Sequence, residues 1–214
     1  MNESLEDRLR KMKGNAVTSS EDLKVKIREE LGISKSDFNK DATNLLYELI
    51  LECFRYTPQH PDYESKLKEK LSEYKGINQK IIQRIAHDLN EDHQIYEEVY
   101  ELGTKVGFLL TKLIEVSEDS ELIIHLPNGS LIHSFGYELS VPKVIDIKGD
   151  IGGSCGARME EGTIIVRGNA GNFLGNEMKG GTIKVYGKID KTAGTMFRWG
   201  GQIYHKDKLI FPEK

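Results

Sequence analysis

A recurrence of nineteen residues constrains this chain more than any other feature of its sequence. Gly149, Gly152 and Gly156 are followed by Met159, Gly162 and the run Thr163-Ile164-Ile165-Val166. Gly168, Gly171 and Gly175 are followed by Met178, Gly181 and Thr182-Ile183-Lys184-Val185, every position moved on by 19. A third unit starts at Gly187 and keeps Gly194, Gly200, Gly201 and Ile203, with Phe197 in the methionine slot. It is degraded, because Asp190 replaces a glycine and the Gly-Gly pair falls one residue late. Such a period is too short for a βαβ unit or a propeller blade and suits one turn of a β-solenoid. The repeated glycines permit positive φ and leave no Cβ, so coils can turn sharply and stack closely. Ile164 and Val166 alternate along one run, Ile183 and Val185 along the next, and both pairs point inward as ladders. Met159, Met178 and Phe197 form a third ladder. A flexible glycine-rich linker would lack these phased methionines and β-branched residues. The expectation is a right-handed parallel β-helix of about three coils over residues 149–214.

The first half has another period. Ser19 or Ser20 can cap a helix whose first turn holds Glu21 and Asp22, and Gly32 stops it. Residues 41–56 carry Leu45, Leu46, Leu49, Ile50, Cys53 and Phe54 on one stripe, ended by Pro58 and Pro61. Residues 63–74 form a charged amphipathic stretch, residues 77–89 bury Ile81, Ile82 and Ile85, and residues 93–116 carry a long apolar face from Ile95 to Leu113. Short helices hold together only by packing on each other, which predicts a bundle of four or five. Between the halves, residues 122–126 and 131–135 flank Pro127-Asn128-Gly129-Ser130, and an Asn-Gly between apolar runs predicts a hairpin. The fold class is therefore α+β in separate layers: an α-helical domain at 1–117, a hairpin and connecting strand at 118–148, and the β-helix at 149–214.

Charge divides the same way. Residues 1–117 hold 18 Lys+Arg against 22 Asp+Glu, the whole of the formal net charge of −4, and the remainder holds 12 of each. That balance argues against a nucleic-acid or anionic-membrane partner, which would require clustered cations. The opening residues 1–13 are charged rather than signal-like, and no apolar run approaches the roughly 20 residues of a membrane span. Cys53 and Cys155 form no CxxC pair and read as reduced thiols, so the expected compartment is the cytoplasm.

Catalytic signals are weak. The glycines at 149–156 fit neither a dinucleotide fingerprint nor a Walker A loop, since no Gly-Lys-Ser/Thr is present and a strand follows where a helix N-terminus is needed. Calcium β-roll repeats would require a recurrent Asp. The six histidines are scattered, and in the expected hairpin His125 and His133 fall on opposite faces, away from a shared metal. Cys155 lies within a glycine arch with no base at hand, which favours packing over nucleophilic chemistry. No catalytic, cofactor-binding or metal-binding residue is assigned. Phe197, Arg198 and Trp199 interrupt the degraded coil and include the only Trp; aromatic and Arg residues of this kind are enriched at binding hot spots.

The strings GDIGGSCGARMEEGTIIVRG and GNAGNFLGNEMKGGTIKVYG resemble the GXGXG domain. That domain forms the C-terminal β-helix of glutamate synthase large subunits and most of the β-helical subunit of formylmethanofuran dehydrogenase. The second string is closer in wording to the dehydrogenase. The resemblance implies a structural spacer or docking surface, with catalytic groups in other domains or subunits. It covers about residues 140–205, and the helical half matches neither family. The leading expectation is a non-catalytic assembly protein with protein partners or a homo-oligomer. The rivals are a free-standing homodimeric regulatory or binding module, and an enzyme in its own right. Short repeat arrays need covered ends, which helices, a second copy or another protein could supply.

Overall fold

The computed structural model describes residues 67, 71, 76–91, 99–130, 132–194 and 199–212. Helices α1 (Gln79–Glu91) and α2 (Val99–Val116) precede strands β1 (Glu121–His125), β2 (Val144–Lys148), β3 (Thr163–Val166), β4 (Thr182–Val185), β5 (Gln202–His205) and β6 (Lys208–Phe211). The helices expected at 19–32 and 41–56 lie outside the described residues. So does the stretch 63–74, apart from Leu67 and Leu71, which are helical and buried.

Strands β1 to β5 pair in sequence order, all parallel, and form one sheet. Their first residues, Glu121, Val144, Thr163, Thr182 and Gln202, stand in one register row. The chain thus makes a β-solenoid of four turns, with successive steps of 23, 19, 19 and 20 residues. Leu122, Ile145, Ile164, Ile183 and Ile203 share the next row, and all are buried. Ile124, Ile147, Val166 and Val185 make a second buried ladder, and Leu139, Met159 and Met178 are buried at the far corner. Each fully buried Leu, Ile or Met contributes roughly 1.5–3 kcal/mol, so these columns are the main source of cohesion.

Two expectations are corrected here. The solenoid starts at Glu121 and not at Gly149, and the hairpin about Asn128-Gly129 does not form. The chain leaves β1 still parallel to β2, with Leu126 N donating to Lys148 O at 3.0 Å. Beyond the turn, Gly152 N donates to Ile132 O at 2.9 Å and Ser134 N to Gly153 O at 2.9 Å. Residues 132–136 therefore stack on the next coil rather than returning along β1. The turn residues favoured a reversal, but the inward-facing Leu122 and Ile124 already had Ile145 and Ile147 as partners in the stack.

Each arch after the first leg repeats an alternation of left-handed residues. Ser134, Gly136 and Glu138 have φ of 55°, 74° and 51°; Ser154, Gly156 and Arg158 have 59°, 66° and 55°. The central glycine makes room for the following coil: a Cβ on Gly136 would lie 2.4 Å from Ile164 Cδ1, and one on Gly156 would lie 2.4 Å from Ile183 Cδ1. The inner isoleucines and the arch glycines are one packing device.

The helices share this core. Leu67, Leu71, Ile82, Ile85, Leu109 and Leu113 belong to one apolar cluster with Leu122, Ile124, Phe135 and Leu139. Helix α2 meets the first arch backbone to backbone: His133 N donates to Gly103 O at 3.1 Å, and a Cβ on Gly107 would lie 1.9 Å from His133 O. Thr111 Oγ1 donates to Gly107 O at 2.7 Å and accepts from Gly136 N at 2.8 Å. Helix α1 is opened by Asn78 Oδ1, which accepts from Lys80 N at 3.0 Å, and by Asp119 Oδ2, which accepts from Gln79 N at 2.7 Å.

Helix α1 also closes the sheet edge. Ile123 N donates to Gln79 Oε1 at 3.1 Å, and His125 N donates to Gln83 Oε1 at 2.6 Å. Gln83 Nε2 returns a bond to His125 O at 3.1 Å. Four residues of helix rise about 6.0 Å and two residues of strand about 6.6 Å, so glutamines at i and i+4 match the alternate outward groups of a strand. At the other end, Lys206 and Asp207, with φ of 48° and 63°, turn the chain back so that β6 pairs antiparallel with β5. The parallel stack stops there.

Candidate interaction surface

The repeat glycines form backbone columns. Gly168 N donates to Gly149 O at 2.9 Å and Gly187 N to Gly168 O at 2.9 Å. Gly171 N donates to Ile151 O at 3.0 Å, Gly156 N to Phe135 O at 2.8 Å, Gly175 N to Cys155 O at 2.8 Å and Gly194 N to Leu174 O at 3.3 Å. A Cβ on Gly152 would lie 2.7 Å from Ile132 O. All eight glycines thus sit where one coil touches its neighbour.

Beside the first column runs a ladder of polar side chains. Asp150 Oδ1 accepts from Asn169 N at 2.6 Å, and Asn169 Oδ1 accepts from Lys188 N at 2.8 Å. Asp150 Oδ2 accepts from Gly129 N at 2.8 Å and from Asn169 Nδ2 at 3.2 Å. Burial opposes the Asp150 charge, but these N–H donors outweigh it and hold the carboxyl below its ordinary pKa. The ladder binds coils to each other and clamps the turn at Gly129.

The outer face carries ion pairs between successive coils. Arg167 makes a two-pronged contact with Asp146, both distances 2.9 Å, and its guanidinium lies 5.0 Å from the Tyr186 ring centroid. Tyr186 Oη donates to Asp207 Oδ1 at 2.9 Å. Arg158 Nε donates to Glu177 at 2.6 Å while its Nη1 donates to Tyr137 Oη at 2.8 Å. These partly exposed pairs give alignment more than stability.

One corner differs. Glu160, Lys179 and Trp199 occupy the same position of three successive coils, since their amides donate to Leu139 O, Met159 O and Met178 O at 2.9, 2.8 and 3.0 Å. Lys179 Nζ pairs with Glu160 Oε1 at 2.7 Å. Trp199 stands last in the column and is 81% exposed. The neighbouring position is Glu161, Gly180 and Gly200, and a Cβ on Gly180 or Gly200 would lie 2.1 or 2.3 Å from the carbonyl of the preceding coil. The exposed indole therefore stands next to a column in which the last two positions must be glycine for the coils to stack. Phe197 and Arg198, its expected companions, lie outside the described residues.

The other sequence candidates are dispersed. Burial of Cys155 pushes its thiol pKa up to about 12, so it stays protonated and packs between coils. Residue His125 is exposed at the end of β1, whereas His133 Nδ1 accepts from Gly153 N at 2.9 Å. That bond requires Nδ1 unprotonated, and burial lowers the His133 pKa. Among the described residues, no group of three or more His, Cys, Asp or Glu side chains is placed to hold a metal ion. No helix among them is long and apolar enough to cross a membrane. Comparison with models of protein families, with curated proteins and with solved structures finds no match to this chain.

Proposed function

We propose that this protein is a non-catalytic assembly component whose β-solenoid serves as a rigid post and whose Trp199 corner docks a partner protein. The observation that carries the reading is the exposure of the single tryptophan at the end of a column of stacked coil positions. Large exposed aromatics on preorganised surfaces are favoured anchors, because little conformational entropy is lost when they are covered. The interior of the coils is filled by Leu, Ile, Val and Met, which leaves their side walls as the working surface.

The specific form of the proposal is a subunit of a complex of the formylmethanofuran dehydrogenase or glutamate synthase kind, supported by the nineteen-residue glycine wording. Helices α1 and α2 cover the first coil, so the need for a partner rests on the Trp199 corner and not on an open end of the stack. The test is purification of the tagged full chain from its native cells, with mass determination by light scattering. A larger enzyme subunit in fixed stoichiometry, lost from the Trp199→Ala variant, is expected. A stable homodimer with no second protein would favour the free-standing module, and the same complex recovered with Trp199→Ala would overturn the docking site.

A further inference from the structure

The Asn128-Gly129 turn has a chemistry separate from any docking role. A backbone amide following an asparagine can attack the side-chain amide carbon, and glycine at the second position offers least steric hindrance. Here residues 128 and 129 are exposed, and Gly129 has a φ of 76°. The attacking atom is not free, however. Gly129 N donates to Asp150 Oδ2 at 2.8 Å, and Asp150, only 9% exposed, is itself fixed by Asn169 of the next coil at 2.6 Å.

We propose that Asn128-Gly129 is a latent succinimide-forming site that Asp150 holds closed while the coils remain stacked. In the reaction, solvent hydroxide takes the Gly129 amide proton and the nitrogen forms a bond to Asn128 Cγ. The side-chain nitrogen takes a proton from water and leaves as ammonia as its bond to Cγ breaks, which regenerates hydroxide and closes a five-membered imide. Water then opens either imide carbonyl, giving an aspartate or an isoaspartate at position 128, with no net oxidation or reduction. An adjacent carboxylate disfavours the amide anion by like-charge repulsion, and its hydrogen bond holds the N–H in place. The carboxylate thus acts as a guard. It is far too weak a base to drive the step.

The consequence is a one-way record of opening. Once the first coil separates from the second, Gly129 N is released and the imide can form. An isoaspartate then lengthens the main chain by one carbon and adds a negative charge next to the residue that Asp150 holds, so the clamp cannot close again as before.

The test incubates the full chain at mildly alkaline pH and follows the peptide spanning 126–131 by chromatography and mass spectrometry. Native wild type should convert at least about tenfold more slowly than the same chain in denaturant, and Asp150→Ala should recover most of that difference. Asp150→Asn, which keeps an acceptor oxygen without the charge, should fall between them. Asn169→Ala serves as the control for loosened coils: it removes the side-chain bonds to Asp150 Oδ2 and Lys188 N but leaves the backbone bond to Asp150 and the Gly129 clamp, and should stay within about twofold of native. Equal conversion in Asp150→Ala and native wild type would overturn the proposal. So would equal acceleration by Asn169→Ala and Asp150→Ala at matched thermal stability.

Discussion

Gln83 holds His125 by both backbone groups, accepting from its N–H at 2.6 Å and donating to its carbonyl at 3.1 Å. A helix side chain here takes the place of a neighbouring strand. With Gln79 on Ile123, it seals the first edge of a parallel sheet, the place where an unpaired strand invites another chain.

Replacing both glutamines, Gln79→Ala with Gln83→Ala, should lower stability by about 1–3 kcal/mol, since the freed groups are exposed enough to take water instead. It should also raise concentration-dependent association through the uncovered β1 edge. Urea denaturation and light scattering at several concentrations check the two parts.

Glycine substitutions should divide by position. A Cβ on Gly168 would lie 2.3 Å from Asp150 Oδ1 and 2.5 Å from the Gly149 carbonyl, where stacked backbone cannot move aside. Gly168→Ala should cost about 3 kcal/mol or more. Gly129 has no heavy atom within 4 Å of such a Cβ and bears only its φ of 76°, so Gly129→Ala should cost about 1–2 kcal/mol. Thermal melts of the two variants side by side measure the difference.

Cys155 should react with thiol reagents only through unfolding. Its burial and raised pKa leave almost no accessible thiolate. In a Cys53→Ser background, the labelling rate of Cys155 should track the unfolded fraction as urea is added. Fast labelling in buffer would contradict the packing.

His133 should make stability fall on acidification. Its folded-state pKa lies below the unfolded value near 6.5, so as pH drops the unfolded chain takes up the proton first. The contribution is fully present above about pH 6.5 and is lost as the pH falls from there toward the folded value. His133→Asn keeps an acceptor for Gly153 N and should lack this slope. Denaturation midpoints measured from neutral to mildly acidic pH compare them.

The sequence reached the coils wherever glycines and β-branched residues recur at a constant step, from Gly149 to Gly187. It missed the first turn because the step there is 23 and only one arch glycine remains. The signal was present in Ser134-Phe-Gly-Tyr-Glu-Leu139, which matches Ser154-Cys-Gly-Ala-Arg-Met159 position for position in arch glycine, left-handed residues and buried apolar ends. An Asn-Gly between apolar runs overrode it, since local turn chemistry says nothing of whether a strand already has an in-register partner. The edge seal was not legible, because Gln79 and Gln83 at i and i+4 look like any solvated helix face until a strand is laid beside them. Trp199 was singled out by composition; its position at the head of the Glu160-Lys179 column follows only from the stacking.

The stack itself is tested most directly by methyl–methyl nuclear Overhauser contacts in protein labelled at isoleucine and leucine. The predicted result is a chain of contacts running Leu122–Ile145–Ile164–Ile183–Ile203, each residue meeting the ones a coil before and after it. Contacts of Ile123 with Ile132 across a hairpin, with none from Leu122 or Ile124 to Ile145 or Ile147, would contradict it.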